Sequence, residues 1–274
     1  MNTALALLLS GAVAAGPAYI ETTRHEVAGQ PVVVTKPNTS QRLPAVYVFS
    51  GLGEMVRGPM ASANGWVEKY GLEEAMTALQ NKTLDSDDLQ GLASPTELRI
   101  YQKRARQYHG VVVVCVAAPR KYSRRFTKHL ITEVIPWAES HLPVIAGRQA
   151  RGLDGISLGG RHVLQIALKY PSDFRTFGTE QAAVKGLWPG YKRVLKTDRM
   201  WFKHSVFHLL SSHQDPFKGP VHSFAEKLRK YGVHVVHKVT EGRHDKRFAK
   251  GPGVVEMLLF HDKYLRERAV KAPL

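Results

Sequence analysis

The run Val111-Val112-Val113-Val114-Cys115-Val116 constrains this chain more than any other segment. An unbroken stretch of apolar, mostly β-branched residues, bounded by Gly110 and Pro119, reads as a strand buried on both faces, as strands of parallel sheets do. Shorter runs precede it at 31–35 and 45–49, and others follow at 151–156, 206–211 and 233–239. All of these read as strands. Apolar residues at helical spacing predict helices over 66–79, 95–108, 126–142, 158–170, 221–231 and 254–265. Pro136 predicts a kink in the third of these, and Gly232 a stop after the fifth. From Gly110 onward strand and helix largely alternate. Alternation of this kind builds an α/β architecture, a mostly parallel, doubly wound sheet with helices on both faces and right-handed crossovers.

The chain has 274 residues, 43% of them hydrophobic, with no internal repeat and no long Pro- or Ser-rich linker. One domain over 19–274 is expected. Residues 1–18 carry no charged side chain, are apolar at 5–9 and contain Ala12-Val13-Ala14. They read as a secretory signal lacking a basic start, too short for a comfortable membrane span. The mature protein is then expected in the periplasm or outside the cell; the alternative is a buried N-terminal element of a cytoplasmic protein. Residues 54–107 lack strong strand signals, and Asp85-Ser86-Asp87-Asp88 makes their centre polar, so they read as a helical excursion on the surface.

Lys and Arg outnumber Asp and Glu by 39 to 23, a formal charge of +16, and the densest cluster is Arg120, Lys121, Arg124, Arg125 and Lys128. Such an excess favours anionic partners, including an anionic surface against a basic face. Zinc-finger spacing and aromatic RNA-binding patterns do not accompany it, so no specific nucleic-acid partner is expected. The one cysteine, Cys115, excludes an intramolecular disulfide and reads as a small hydrophobe in its strand. The oligomeric state stays open.

The chemistry centres on Gly155-Ile156-Ser157-Leu158-Gly159-Gly160, a G-x-S-x-G string between a predicted strand and a predicted helix. A sharp strand-to-helix turn needs small residues on either side of the serine and lifts its hydroxyl above the sheet. The Leu158 N–H then opens a helix, where it can hold an oxyanion. A serine hydroxyl needs a base. Of thirteen histidines, His244 lies between the last strand and the last helix, at the carboxyl edge of the sheet where sites of doubly wound folds sit. His234 and His237, three apart on a strand, point to opposite faces, which argues against shared metal ligation. Asp215, directly after the strand 206–211, is the candidate acid. Asp245 is its rival, set back because adjacent side chains rarely point at each other. In Ser50-Gly51-Leu52-Gly53 the Leu52 N–H is the second candidate oxyanion donor, with Gly53 behind it. No metal or organic cofactor is expected.

Together these residues resemble the esterase D branch of the α/β hydrolases, the family of S-formylglutathione hydrolase, ferulate esterase-type domains and mycolyltransferases. Tyr47-Val48-Phe49-Ser50-Gly51-Leu52 is similar to the family's strand and oxyanion loop. Gly155 to Gly160, with Ala167-Leu168-Lys169-Tyr170-Pro171 and Phe174, is similar to its nucleophile helix and following turn. Asp215-Pro216-Phe217 resembles its acid turn, and Gly242-Arg243-His244-Asp245 its histidine loop. The resemblance runs from Pro44 to the C-terminus. It implies the α/β-hydrolase fold and a Ser157–His244–Asp215 triad that cleaves a carboxylic ester, of a small molecule or the cell envelope, through an acyl-enzyme. Gly53-Glu54, Arg161-His162 and Asp245-Lys246-Arg247-Phe248 depart from the formylglutathione enzymes, so the ester itself is not named. Two other readings stand beside this one: an acyltransferase on the same fold, and a non-catalytic basic hydrolase-like protein that binds anionic envelope polymers.

Overall fold

A computed structural model describes residues 19–197 and 200–269; the expected leader at 1–18 lies outside the described residues. The strands are β1 (Ile20–Val27), β2 (Gln30–Pro37), β3 (Ala45–Phe49), β4 (Val112–Val116), β5 (Arg151–Gly155), β6 (Thr176–Glu180), β7 (Val206–Gln214) and β8 (His234–Arg243). They form one sheet in the order β1-β2-β4-β3-β5-β6-β7-β8. β1 and β2 pair antiparallel, β2 runs antiparallel to β4, and every other neighbouring pair is parallel. This is the mostly parallel sheet of the α/β-hydrolase fold.

The helices are α1 (Leu52–Met55), α2 (Pro59–Glu68), α3 (Leu72–Asn81), α4 (Pro95–Ala105), α5 (Arg124–His129), α6 (Ile135–His141), α7 (Leu158–Ala167), α8 (Trp188–Thr197), α9 (Met200–Lys203), α10 (Lys218–Lys230), α11 (Lys246–Phe248) and α12 (Val254–Ala269). The sheet divides them into two layers, and the two-residue period of β4 shows how. Val112, Val114 and Val116 enter a core with residues of α5 to α8 and α10, whereas Val113 and Cys115 enter a core with α2, α3, α4 and α12. Each fully buried valine contributes about 1.5–3 kcal/mol of transfer free energy. Burial also pushes the Cys115 thiol pKa up, which agrees with its reading as a small hydrophobe.

Several elements differ from expectation. β1 carries Glu-Thr-Thr-Arg-His-Glu along a half-exposed edge and buries only Val27, so no apolar pattern announces it. β6 is Thr-Phe-Gly-Thr-Glu, wholly buried but without an apolar run. The helix expected over 66–79 is broken at Gly71, whose φ of 68° ends one helix and opens the next. Residues 54–107 are not only a surface excursion. Trp66, Leu72, Met76, Leu79 and Tyr101 pack into the second core, and buried Leu84 and Leu89 pin the polar centre between them. In that centre Asp85 Oδ1 accepts from the Asp87 and Asp88 N–H groups, a local turn. At Pro136 the chain takes a π turn, Leu130–Val134, and continues as α6 with the proline in its first turn. The wider π turn lets the helix run past the proline ring without a break.

Among the described residues no helix is long and apolar enough to cross a membrane.

Candidate active site

β5 delivers its chain into a turn that only small residues fit. A Cβ on Gly155 would lie 2.5 Å from the Gly159 carbonyl carbon, one on Gly159 would lie 2.5 Å from the Ser50 oxygen, and one on Gly160 would lie 2.7 Å from the Gly155 oxygen. Ser157, between them, has φ 55° and ψ −110°. Backbone of that kind on a non-glycine residue costs about 1–3 kcal/mol. It is held by the Ser157 N–H bond to the Glu180 oxygen at 2.7 Å and the Ile156 N–H bond to the Phe49 oxygen at 3.2 Å. Below the turn, Asp154 Oδ1 accepts from the Gly155 N–H at 2.6 Å. Its Oδ2 meets His261 Nε2 at 2.8 Å, so α12 braces the turn from beneath.

Asp215 and His244 arrive from the far side of the sheet. β7 and β8 pair in register until an irregularity between Ser212 and Gln214, and the chain turns there to place Asp215. The Asp215 carboxylate is buried. It accepts from Ser211 Oγ at 2.6 Å and from the Phe217 N–H at 3.0 Å. Burial opposes its ionisation, but hydrogen bonds from His244, Ser211 and Phe217 outweigh burial and hold its pKa below the usual carboxylate value. His244 follows β8, with Nδ1 3.1 Å from Asp215 Oδ1 and Nε2 3.1 Å from Ser157 Oγ. The Phe217 ring meets the imidazole edge-on at 5.3 Å. An ionised Asp215 accepts a hydrogen bond from Nδ1–H, which keeps the proton on that nitrogen and leaves the Nε2 lone pair for the serine hydroxyl. Asp245, the rival acid, is engaged elsewhere: its Oδ1 accepts the Phe248 N–H at 3.0 Å and caps α11.

Leu52 and Leu158 are the first residues of α1 and α7. Amides at that position have no intrahelical acceptor. Leu52 and Gly53 line a cleft of about 380 Å³ together with Ser157 and His244. The neighbouring Gly51 N–H donates to the Tyr70 hydroxyl at 3.1 Å, and that hydroxyl donates to Glu54 Oε2. Tyr70, Glu54 and Gln181 also line the cleft and escaped the reading of the sequence. Glu54 was visible only as a departure from the related enzymes, and nothing local marked Tyr70 or Gln181.

Residues 30–219 match the Esterase family. The chain belongs to the Esterase family. It is a carboxylic ester hydrolase, and its family and fold are those the sequence motifs implied. A ferulic acid esterase superposes on this esterase with a TM-score of 0.65 at 16% identity, over 90% of this chain and 98% of that one. The S-formylglutathione hydrolase of Staphylococcus aureus gives 0.65 at 12% identity, over 91% and 99%. The fluorophosphonate-binding serine hydrolase F of the same organism gives 0.64 at 12%, over 90% and 99%. No curated protein sequence matches the chain.

Proposed function

We propose that this esterase cleaves its substrate through an acyl-enzyme on Ser157. His244 Nε2 removes the hydroxyl proton as Oγ attacks the ester carbonyl carbon, and the same proton then leaves with the alcohol. Asp215 holds the imidazole and stabilises its charged form. The Leu52 and Leu158 N–H groups hold the oxyanion, placed at two helix starts where partial positive charge collects. A water molecule, deprotonated by His244, then releases the acid.

The observation that carries this reading is the pair of 3.1 Å contacts through one imidazole, from a buried carboxylate at one nitrogen to a strained serine at the other. A fluorophosphonate probe followed by peptide mapping tests it. Labelling at Ser157 that disappears in Ser157→Ala, with hydrolysis of 4-nitrophenyl esters falling about 10⁴-fold or more, is the expected result. A folded wild-type protein that takes no label would sink it.

A further inference from the structure

A second cavity, of about 430 Å³, opens where β4 ends. Met55, Ala118 and Phe126 line its apolar part, and Ser123, Arg125 and His129 its polar part. Cations predominate here, with Glu133 the acid close enough to act on His129. No Asp or Glu occurs from residue 98 to residue 132, while Arg120, Lys121, Arg124, Arg125 and Lys128 fall within nine residues. None of these five joins an ion pair among the described residues. His129 Nε2 is buried and has no hydrogen-bond partner among the described residues. A concave wall with cations on one side raises the local concentration of anions.

The position of this cavity relative to Ser157 assigns it a part of the substrate. In the sheet order, β4 lies two strands from β5, on the side away from β8. Strands are about 4.8 Å apart, so β4 ends roughly 10 Å from the serine turn. His244 stands on the β8 side. The leaving oxygen has to collect its proton from His244 and therefore departs toward β8, which directs the acyl group toward β3 and β4. α1 is the partition. Leu52 lines the serine cleft, Met55 lines the second cavity, and a helix rises only about 4.5 Å between two such residues. Leu52, Val56 and Met60 are 44%, 57% and 54% exposed, apolar ground beside that crossing. Glu54, the acid of α1, lines the serine cleft instead and is bonded by Tyr70.

We propose that the second cavity receives the far end of the acyl group, and that this end is anionic: a carboxylate, phosphate or sulfate carried on an apolar chain. With C–C bonds of about 1.5 Å, a chain of roughly six to eight carbons spans the roughly 10 Å from the serine turn to the end of β4, where the cavity opens. The inference rests on the acyl-enzyme reading for its direction, and the chemistry is the same transfer of the acyl group to Ser157 and then to water.

The test compares the mono-4-nitrophenyl ester of suberic acid, an anion, with its neutral methyl ester. Wild type should prefer the anion in kcat/KM by about tenfold, equivalent to ~1.4 kcal/mol, and the preference should shrink as salt is raised. Arg125→Glu should erase or reverse the preference of the anion over the neutral ester, and Arg125→Lys should keep it. Equal kcat/KM for the two esters, or a preference that Arg125→Glu does not touch, overturns the proposal while the serine mechanism stands. Hydrolysis of neither ester would instead defeat the serine mechanism. Titration of Ser157→Ala with monomethyl suberate against dimethyl suberate, followed by NMR at His129, then decides this proposal. Salt-sensitive shifts with the anion alone support it, and identical responses overturn it.

Discussion

Gln181 Nε2 donates to the Arg243 carbonyl at 2.9 Å, one residue before His244. The same nitrogen donates to Ser212 Oγ at 2.7 Å, so a single buried amide ties the end of β7 to the loop that carries the imidazole. Gln181 is itself held at a φ of 49°. Gln181→Met keeps most of the volume but leaves the Arg243 carbonyl without its donor. The expected outcome is a fall in kcat of about 10²-fold, the scale of a misplacement near 1 Å, with a native circular dichroism spectrum. Full activity in steady-state assays would show that the loop holds His244 without Gln181.

Asp215→Asn preserves the shape of the acid turn and removes its charge. An amide at this position either leaves the Nδ1 proton unpaired or turns the imidazole to its other tautomer. A loss of about 10⁴-fold in kcat is expected, with KM little changed. Stability gives a second readout. The folded pKa of Asp215 is depressed. Its contribution is therefore present above the ordinary carboxylate pKa and disappears as the pH falls through the folded value. Thermal melts down through the acid range should show a smaller loss of stability for Asp215→Asn than for wild type.

Tyr70→Phe removes the acceptor of the Gly51 N–H and the donor to Glu54. Gly51 precedes the candidate oxyanion donor Leu52, so Tyr70 positions the loop without reaching the reacting atoms. About a tenfold fall in kcat is expected, from a hydrogen bond worth about 0.5–1.5 kcal/mol. KM should stay near wild type. A change confined to KM would place Tyr70 in substrate binding instead.

Asp262 offers a pH effect of the opposite sign. Burial raises its carboxyl to about 7, against the bonds and charge that favour ionisation from the Gly110 N–H and Lys82. The folded state therefore holds a proton that the unfolded chain releases near pH 4. Stability should fall as the pH rises from about 4 to about 7. Asp262→Asn keeps an acceptor for the His109 and Gly110 N–H groups, both 3.1 Å away in the native protein. Its denaturation midpoint should vary less with pH over that window and exceed wild type above it. Parallel pH profiles for the two proteins would contradict this.

The legible parts of the chain were those where one physical requirement acts on neighbouring residues. Val111 to Val116 is buried on both faces, and every position says so. The serine turn has contacts that exclude any Cβ, so its glycines appear in the sequence itself. Asp215 and His244 could be located because each follows a strand at one edge of the sheet. β6 was hidden because hydrogen bonding, and not apolar burial alone, satisfies its interior: Thr176 Oγ1 meets His261 Nδ1 at 2.8 Å across the core. Gln181 and Tyr70 were hidden for a related reason. Their partners lie 62 and 19 residues away, and a polar side chain announces no long-range partner in its own neighbourhood.

The serine turn also limits how an enzyme of this construction can change. Gly155, Gly159 and Gly160 are each pressed against backbone atoms, which cannot be trimmed to make room for a side chain. Selection has almost no freedom there, and a new substrate preference cannot begin at the nucleophile. It has to begin in segments whose side chains meet open space, such as the exposed residues of α1 and the arginines that open α5. Those positions can drift while the serine stays competent, so a single reactive centre can be passed from one ester to another by exchanging what surrounds it.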